Sequence, residues 1–209
     1  LLVAGFLLVF ITLYPKLPLF DIIPGYIVRV RLEDFLVAAT VGLYLIQVLR
    51  HKAPFKSLLL LPIGIYLLIG LLSALSAIFI THTVPFYPIH YGKTLLHWLR
   101  RVEYFSMYFI FYAAVTSTKI ARRLALLLGG VTLAATVYGL GQKWFQWPVY
   151  STMNREFAKG WKLVLTGHAR VPSTFAGHYD FAAFLVLSLT IFGSLLLFVK
   201  NRFIRTLGI

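Results

Sequence analysis

The chain contains no cysteine, only six acidic residues, and no more than 12% charged residues in all. Without cysteine there is no disulfide, no thiolate metal site and no cysteine nucleophile. Soluble domains carry about a quarter charged residues, so this scarcity excludes an ordinary soluble globular fold. No phosphate-cradling glycine loop, dinucleotide fingerprint or Gly-x-Ser-x-Gly elbow occurs in the 209 residues. The paired glycines that do occur, Gly129-Gly130 and Gly139-Leu140-Gly141, lie inside an apolar run, where small residues serve helix packing.

What is present is apolar surface: 60% of the residues are hydrophobic. Uncharged runs cover residues 58–80, 124–141 and 181–199, each near the ~20 residues that cross ~30 Å of hydrocarbon. Residues 1–14 are also apolar, with no basic flank and no small-residue cleavage site, so they read as the first helix of a longer protein rather than a signal peptide. Two shorter runs, 35–49 and 104–118, reach spanning length if each helix starts earlier and takes charged residues into its outer turns. The fold class expected is therefore all-α: a polytopic bundle of about six membrane-spanning helices, read as a single domain over 1–209. Its hydrophilic joints fall at 15–34, 50–57, 81–102, 119–123, 143–179 and 200–206.

The charges sort between those joints. The second, fourth and sixth hold Arg50, Lys52, Lys56, Lys119, Arg122, Arg123, Lys200, Arg202 and Arg205, with no acid among them. All six acids, Asp21, Glu33, Asp34, Glu103, Glu156 and Asp180, fall on the other side or at its helix ends. Short Lys/Arg-rich loops stay in the cytoplasm, so both chain ends are expected inside and the odd joints outside. The net charge of +14 then speaks for anionic lipid rather than nucleic acid as its counterpart.

The outward helix ends carry charges at helical spacing. Arg29 and Glu33 are i,i+4, while Arg31 and Asp34, and Arg100 and Glu103, are i,i+3; His97, Arg100 and Glu103 make one stripe. Arg31-Leu-Glu-Asp-Phe35 is echoed by Arg101-Val-Glu-Tyr-Phe105. Two readings stay open: snorkelling charges that end the helices, or a polar cavity at membrane depth.

The longest outward joint, 143–179, is rich in aromatic residues and holds Lys143, Arg155, Lys159, Lys162 and Arg170 against Glu156. Trp144 and Trp147 read as interfacial anchors. Arginine grips phosphate through paired hydrogen bonds and aromatic rings cover sugar faces, so the joint suits an anionic ligand with a bulky polar body. Arg170, just before Pro172, is its first candidate. His168 and His178 stand ten positions apart and match no compact zinc spacing, so no metal is expected. His178 and Asp180 either orient a substrate or, for Asp180, cap the following helix.

Residues Arg170-Val-Pro-Ser-Thr-Phe-Ala-Gly-His-Tyr-Asp-Phe-Ala-Ala-Phe184 resemble the Arg-x-x-(Gly/Ser)-Thr-Phe…(Ala/Gly)-x-Phe signature of the O-antigen ligase and O-antigen polymerase superfamily. Pro15-Lys-Leu-Pro-Leu-Phe20, Arg31-Leu-Glu-Asp34 and Leu99-Arg-Arg-Val-Glu-Tyr104 are similar to other parts of its amino-terminal half. Where many members have Asn, this chain has His178-Tyr-Asp180. The resemblance implies a multi-pass glycosyltransferase of the bacterial inner membrane that works without metal or cofactor. Such enzymes take a glycan from a polyprenyl-pyrophosphate carrier at the outer face and pass it to a lipid or glycan acceptor. It implies substrate-binding roles for Arg170, then Arg31, Arg101 and Lys162, with His178 and Asp180 beside them, and a catalytic base beyond these residues. The alternative expectation is a transporter or flippase of an anionic or lipid-linked substrate. A non-catalytic scaffold subunit is a third.

Overall fold

The apolar runs form helices whose ends follow local capping chemistry more closely than the charge boundaries. The computed structural model describes residues 1–16, 18–20, 30–85, 87–149 and 164–198. These form helices α1 (Leu2–Leu13), α2 (Leu32–Leu49), α3 (Leu60–Phe79), α4 (Pro88–Ala114), α5 (Thr118–Trp144) and α6 (His178–Phe198). Strands β1 (Pro18–Phe20) and β2 (Val30–Arg31) pair antiparallel inside the expected joint 15–34, the one departure from an all-helical architecture.

Four helices, α2, α3, α5 and α6, are long and apolar enough to cross a membrane. The shortest of them, α2 with 18 residues, extends about 27 Å at 1.5 Å per residue. Exposed leucines along α3 (Leu61, Leu68, Leu72) and α6 (Leu187, Leu189, Leu197) are what a lipid-facing surface requires and an aqueous one penalises. Two expected spans fall short of this standard. At 12 residues α1 is too short, and α4, at 27 residues, carries Lys93, Arg100, Arg101 and Glu103 within its first sixteen residues.

Two joints drawn at charges lie inside helices. Pro88 at the first position of α4 starts that helix well before Tyr104, and the Lys, Arg and Glu that follow are good helix formers. The second copy of the Arg-x-Glu-x-Phe echo consequently lies deep within α4, whereas the first straddles the junction of β2 and α2. Ser117 caps α5, its hydroxyl accepting the Ile120 N–H at 3.3 Å, so Lys119, Arg122 and Arg123 occupy the first turns of a helix.

The chain divides into two compact units, one of residues 1–33 with 117–209, the other of residues 34–116. In the first, α5 packs against both α1 and α6. Toward α1, Ala4 and Leu7 are fully buried, and Gly5 admits Leu127 so closely that an added Cβ would stand 3.3 Å from its Cδ2. Toward α6, Gly129 lies under Phe192, Thr132 Oγ1 donates to Ser188 Oγ at 3.1 Å, and Gly139 lies under Val171 and Phe181. Small residues and a hydroxyl pair are the usual means of bringing apolar helices together where lipid removes the hydrophobic drive. In the second unit, α3 and α4 meet where Trp98 Nε1 donates to Leu67 O at 2.9 Å beside Gly70.

Gly139 and Gly130 separate packing from propensity. A Cβ at Gly139 would meet Val171 Cγ1 at 3.1 Å, while one at Gly130 meets nothing within 4 Å. Reversible unfolding in bicelles should show Gly139→Leu losing about 1–3 kcal/mol through overpacking. Gly130→Ala should be neutral or gain up to about 1 kcal/mol. Equal effects from the two would refute the α5–α6 contact as drawn.

Candidate functional site

The segment from Val171 to Gly177 is an anchor buried within the first unit. Pro172, Ser173, Thr174, Ala176 and Gly177 are all buried, and Phe175 packs its ring on Phe181 and Phe184 at centroid distances of 5.5 and 5.0 Å. Ser173 adopts a left-handed backbone, φ 53°, a conformation uncommon outside glycine that persists only where surrounding bonds enforce it. Those bonds are present. Ser173 N–H donates to Gln142 Oε1 and Ser173 O accepts from Gln142 Nε2, both at 2.9 Å. Ser173 Oγ donates to Ala135 O, and Thr174 Oγ1 to Thr12 O, each at 2.6 Å. The segment is thus sewn to α5 and to the last turn of α1.

What this anchor presents is exposed. Arg170 Nη1 lies 3.3 Å from His178 Nε2 and donates to the Tyr179 hydroxyl at 3.2 Å, with its Cζ 5.9 Å from the Tyr179 ring. The rings of His178 and Tyr179 are 4.1 Å apart. Among the described residues Arg170 has no carboxylate partner. Its contacts among those residues are an imidazole and a phenol, and they place its charge at the start of α6, where the helix dipole is itself positive. Asp180 lies exposed in the first turn of α6, in the position where that dipole favours an acid. Such a place offers an anion a guanidinium, an imidazole and a phenol at once.

A cavity of about 360 Å³ opens behind the anchor, lined by Leu13, Pro15, Ala134, Tyr138, Ser173 and Thr174. Its size falls within the range of small-ligand sites, and its walls are mostly apolar.

The other predicted site residues are placed differently. Arg31 sits on β2 and reaches Glu33 at 3.1 Å, so it lies on a strand and not on the helix face that i,i+3 spacing supposes. Glu33 also receives Lys16, whose ammonium donates in addition to Ile11 O at the end of α1. Arg101 belongs to the second unit, exposed, donating to the Tyr66 hydroxyl from a guanidinium 6.0 Å from that ring. Arg100 pairs with Glu103 at 3.1 Å, as helical spacing requires, and with Asp34 at 2.6 Å. Lys162 and Arg29 lie outside the described residues. Of the six candidates, Arg170 and His178 are in contact, and Asp180 follows on the same turn of α6.

Two residues that matter here were not singled out from the sequence. Gln142 is an amide in the last turn of α5, and Lys16 a lone cation after α1; neither type in isolation signals a tie. Among the described residues no three of His, Asp and Glu gather where they could hold a metal ion. No protein-family model, no curated protein and no solved structure matches the chain.

The Lys16–Glu33 pair is buried, with side chains 6% and 11% exposed. Lys16→Met removes one partner and should cost about 2–4 kcal/mol, because Glu33 is left with Arg31 to offset its burial. Adding Glu33→Leu should restore most of that loss. Thermal unfolding of the two single variants and the double decides the matter; strictly additive losses would disprove the coupling.

Proposed function

We propose that this chain is part of a multi-pass membrane glycosyltransferase of the O-antigen ligase and polymerase type. In this reading Arg170, with His178 and Tyr179, holds the pyrophosphate of a polyprenyl-linked glycan donor. One observation carries it: an exposed arginine with no carboxylate partner among the described residues, presented by a buried anchor that bears the Arg-x-x-Ser-Thr-Phe signature.

The chemistry asked of Arg170 is electrostatic. As the anomeric carbon–oxygen bond breaks, negative charge grows on the departing pyrophosphate, and a guanidinium with parallel N–H donors stabilises that charge. A pyrophosphate would take the donor now shared between His178 and Tyr179. The acceptor, a lipid or another glycan, is activated by a base beyond the roles assigned here. Arg31 and Arg101 serve the same substrate less directly, since each already bonds within the protein. Lys162 belongs to the outward basic joint, and Asp180 stands beside His178 at the start of α6. In this reading α1 and α4 cross the bacterial inner membrane beside the four long apolar helices, which puts both ends in the cytoplasm and residues 143–179 outside; the absence of acids from the even joints supports it.

A second reading, a transporter or flippase, draws on the ion triad of the second unit. Arg100 stands between Asp34 and Glu103 with its side chain only 22% exposed, the kind of group that lines polar paths through membranes.

Transfer assays on membranes distinguish the two. Arg170→Ala should lower glycan transfer by roughly 100-fold or more with protein level and insertion unchanged. Arg170→Lys should recover only part, since an ammonium lacks the planar fork. Wild-type transfer in Arg170→Ala would end the proposal, and loss confined to Arg100→Gln would favour the transporter.

The orientation is tested separately and cleanly, because the chain has no cysteine of its own. A membrane-impermeant maleimide should label Ala169→Cys in intact cells and leave Lys52→Cys unlabelled until the membrane is opened. The reverse pattern would invert the topology.

A further inference from the structure

A polar group that the proposed site does not use directly, and that the fold keeps almost wholly out of solvent, is the amide of Gln142. It is 1% exposed, near the end of an apolar helix, where an unpaired amide is costly. Among the described residues, each hydrogen bond its side chain makes is to the backbone of the joint 143–179. Nε2 donates to Pro148 O at 3.1 Å and to Ser173 O at 2.9 Å, and Oε1 accepts Ser173 N–H at 2.9 Å. Pro148 and Ser173 are the two stems of the intervening segment, so one side chain grips the strand leaving α5 and the strand returning to α6. Tyr138 supports the first stem, its hydroxyl donating to Pro148 O at 2.9 Å, and Ser173 Oγ seals the second on Ala135 O. The paired bonds to Ser173 also hold its left-handed backbone, three residues from Arg170.

We infer that Gln142 is the positioning residue of the anion site: by clamping both stems it fixes where Arg170 stands against His178 and Tyr179. The inference rests on the proposed reading for its ligand and on the hydrogen bonds alone for its geometry. Gln142 itself touches no substrate. A displacement near 1 Å in a group that binds a charged centre can weaken its action by up to ~100-fold, so the clamp is felt at the site though its atoms are remote from it.

The test uses the full chain in nanodiscs with inorganic pyrophosphate as the probe. Spin labels at Leu140→Cys and Ala169→Cys report the distance from α5 to the Arg170 segment independently of any ligand. Gln142→Met, of like length and without polar atoms, should broaden that distance distribution and weaken pyrophosphate binding roughly tenfold or more, with helical content retained. Gln142→Glu keeps the acceptor for Ser173 N–H and, when protonated, one donor. Relative to wild type it should recover a narrow distribution and tight binding as the pH falls, a rescue that mere filling of space would not produce. An unchanged distribution and affinity in Gln142→Met, or a Gln142→Glu variant indifferent to pH, would overturn the inference. If wild type binds no pyrophosphate while Gln142→Met still broadens the distribution, the clamp stands and the functional reading falls.

Discussion

A chain this apolar must satisfy its buried polar groups within itself, and the first unit depends on how α5 does so. One edge of that helix buries Leu124, Val131 and Ala135 in sequence and ends at Gln142, so a packing face becomes a hydrogen-bonding one toward the outer joint. Ala135 O and the Gln142 amide together accept and supply the bonds that hold Ser173, and Thr12 O at the end of α1 does the same for Thr174. Replacing the Gln142 amide by an apolar group would leave the Ser173 N–H and C=O without these bonds in a buried position, at a cost of about 1–3 kcal/mol each. The geometry of the segment before α6 follows from that constraint.

The charged residues divide by what surrounds them. Lys16 and Arg31 both pair with Glu33 at the end of α1, and Arg100 pairs with both Asp34 and Glu103 within the second unit. Pairing of this kind makes burial tolerable and leaves little charge to act on a ligand. Arg170 is the contrast. Its two described partners are a phenol and an imidazole, and it lies at the surface. The positive charge of the joint 143–179 is carried, among the described residues, by Lys143, which donates to Gly167 O, and by Arg170, which the packing of its neighbours holds in position.

Much of this was legible in the residues. The runs at 58–80, 124–141 and 181–199 announce α3, α5 and α6 because apolar content and length alone decide such helices. The boundaries were harder to see. Charges were taken as helix ends, yet Pro88 and Ser117 govern the starts of α4 and α5, since a cap or a preset φ acts on the backbone while a charge on the surface only shifts its stability slightly. The same bias placed Arg31 on a helix, when pairing of β1 with β2 carries it on a strand.

The sequence by itself determined that the chain is a membrane-type helical protein, that its basic residues are distributed unequally between alternate joints, and that Arg170 opens a distinctive segment. These are matters of composition, period and spacing. Only the tertiary structure decided which arginines are spent on carboxylates, that His178 and Tyr179 frame Arg170, and that Gln142 ties Pro148 to Ser173. Those relations join residues up to 66 positions apart in the chain, and one more, Thr174 to Thr12, joins residues 162 apart. No local pattern encodes such a partner, because a buried amide or hydroxyl accepts whichever backbone group the packing of helices brings within reach.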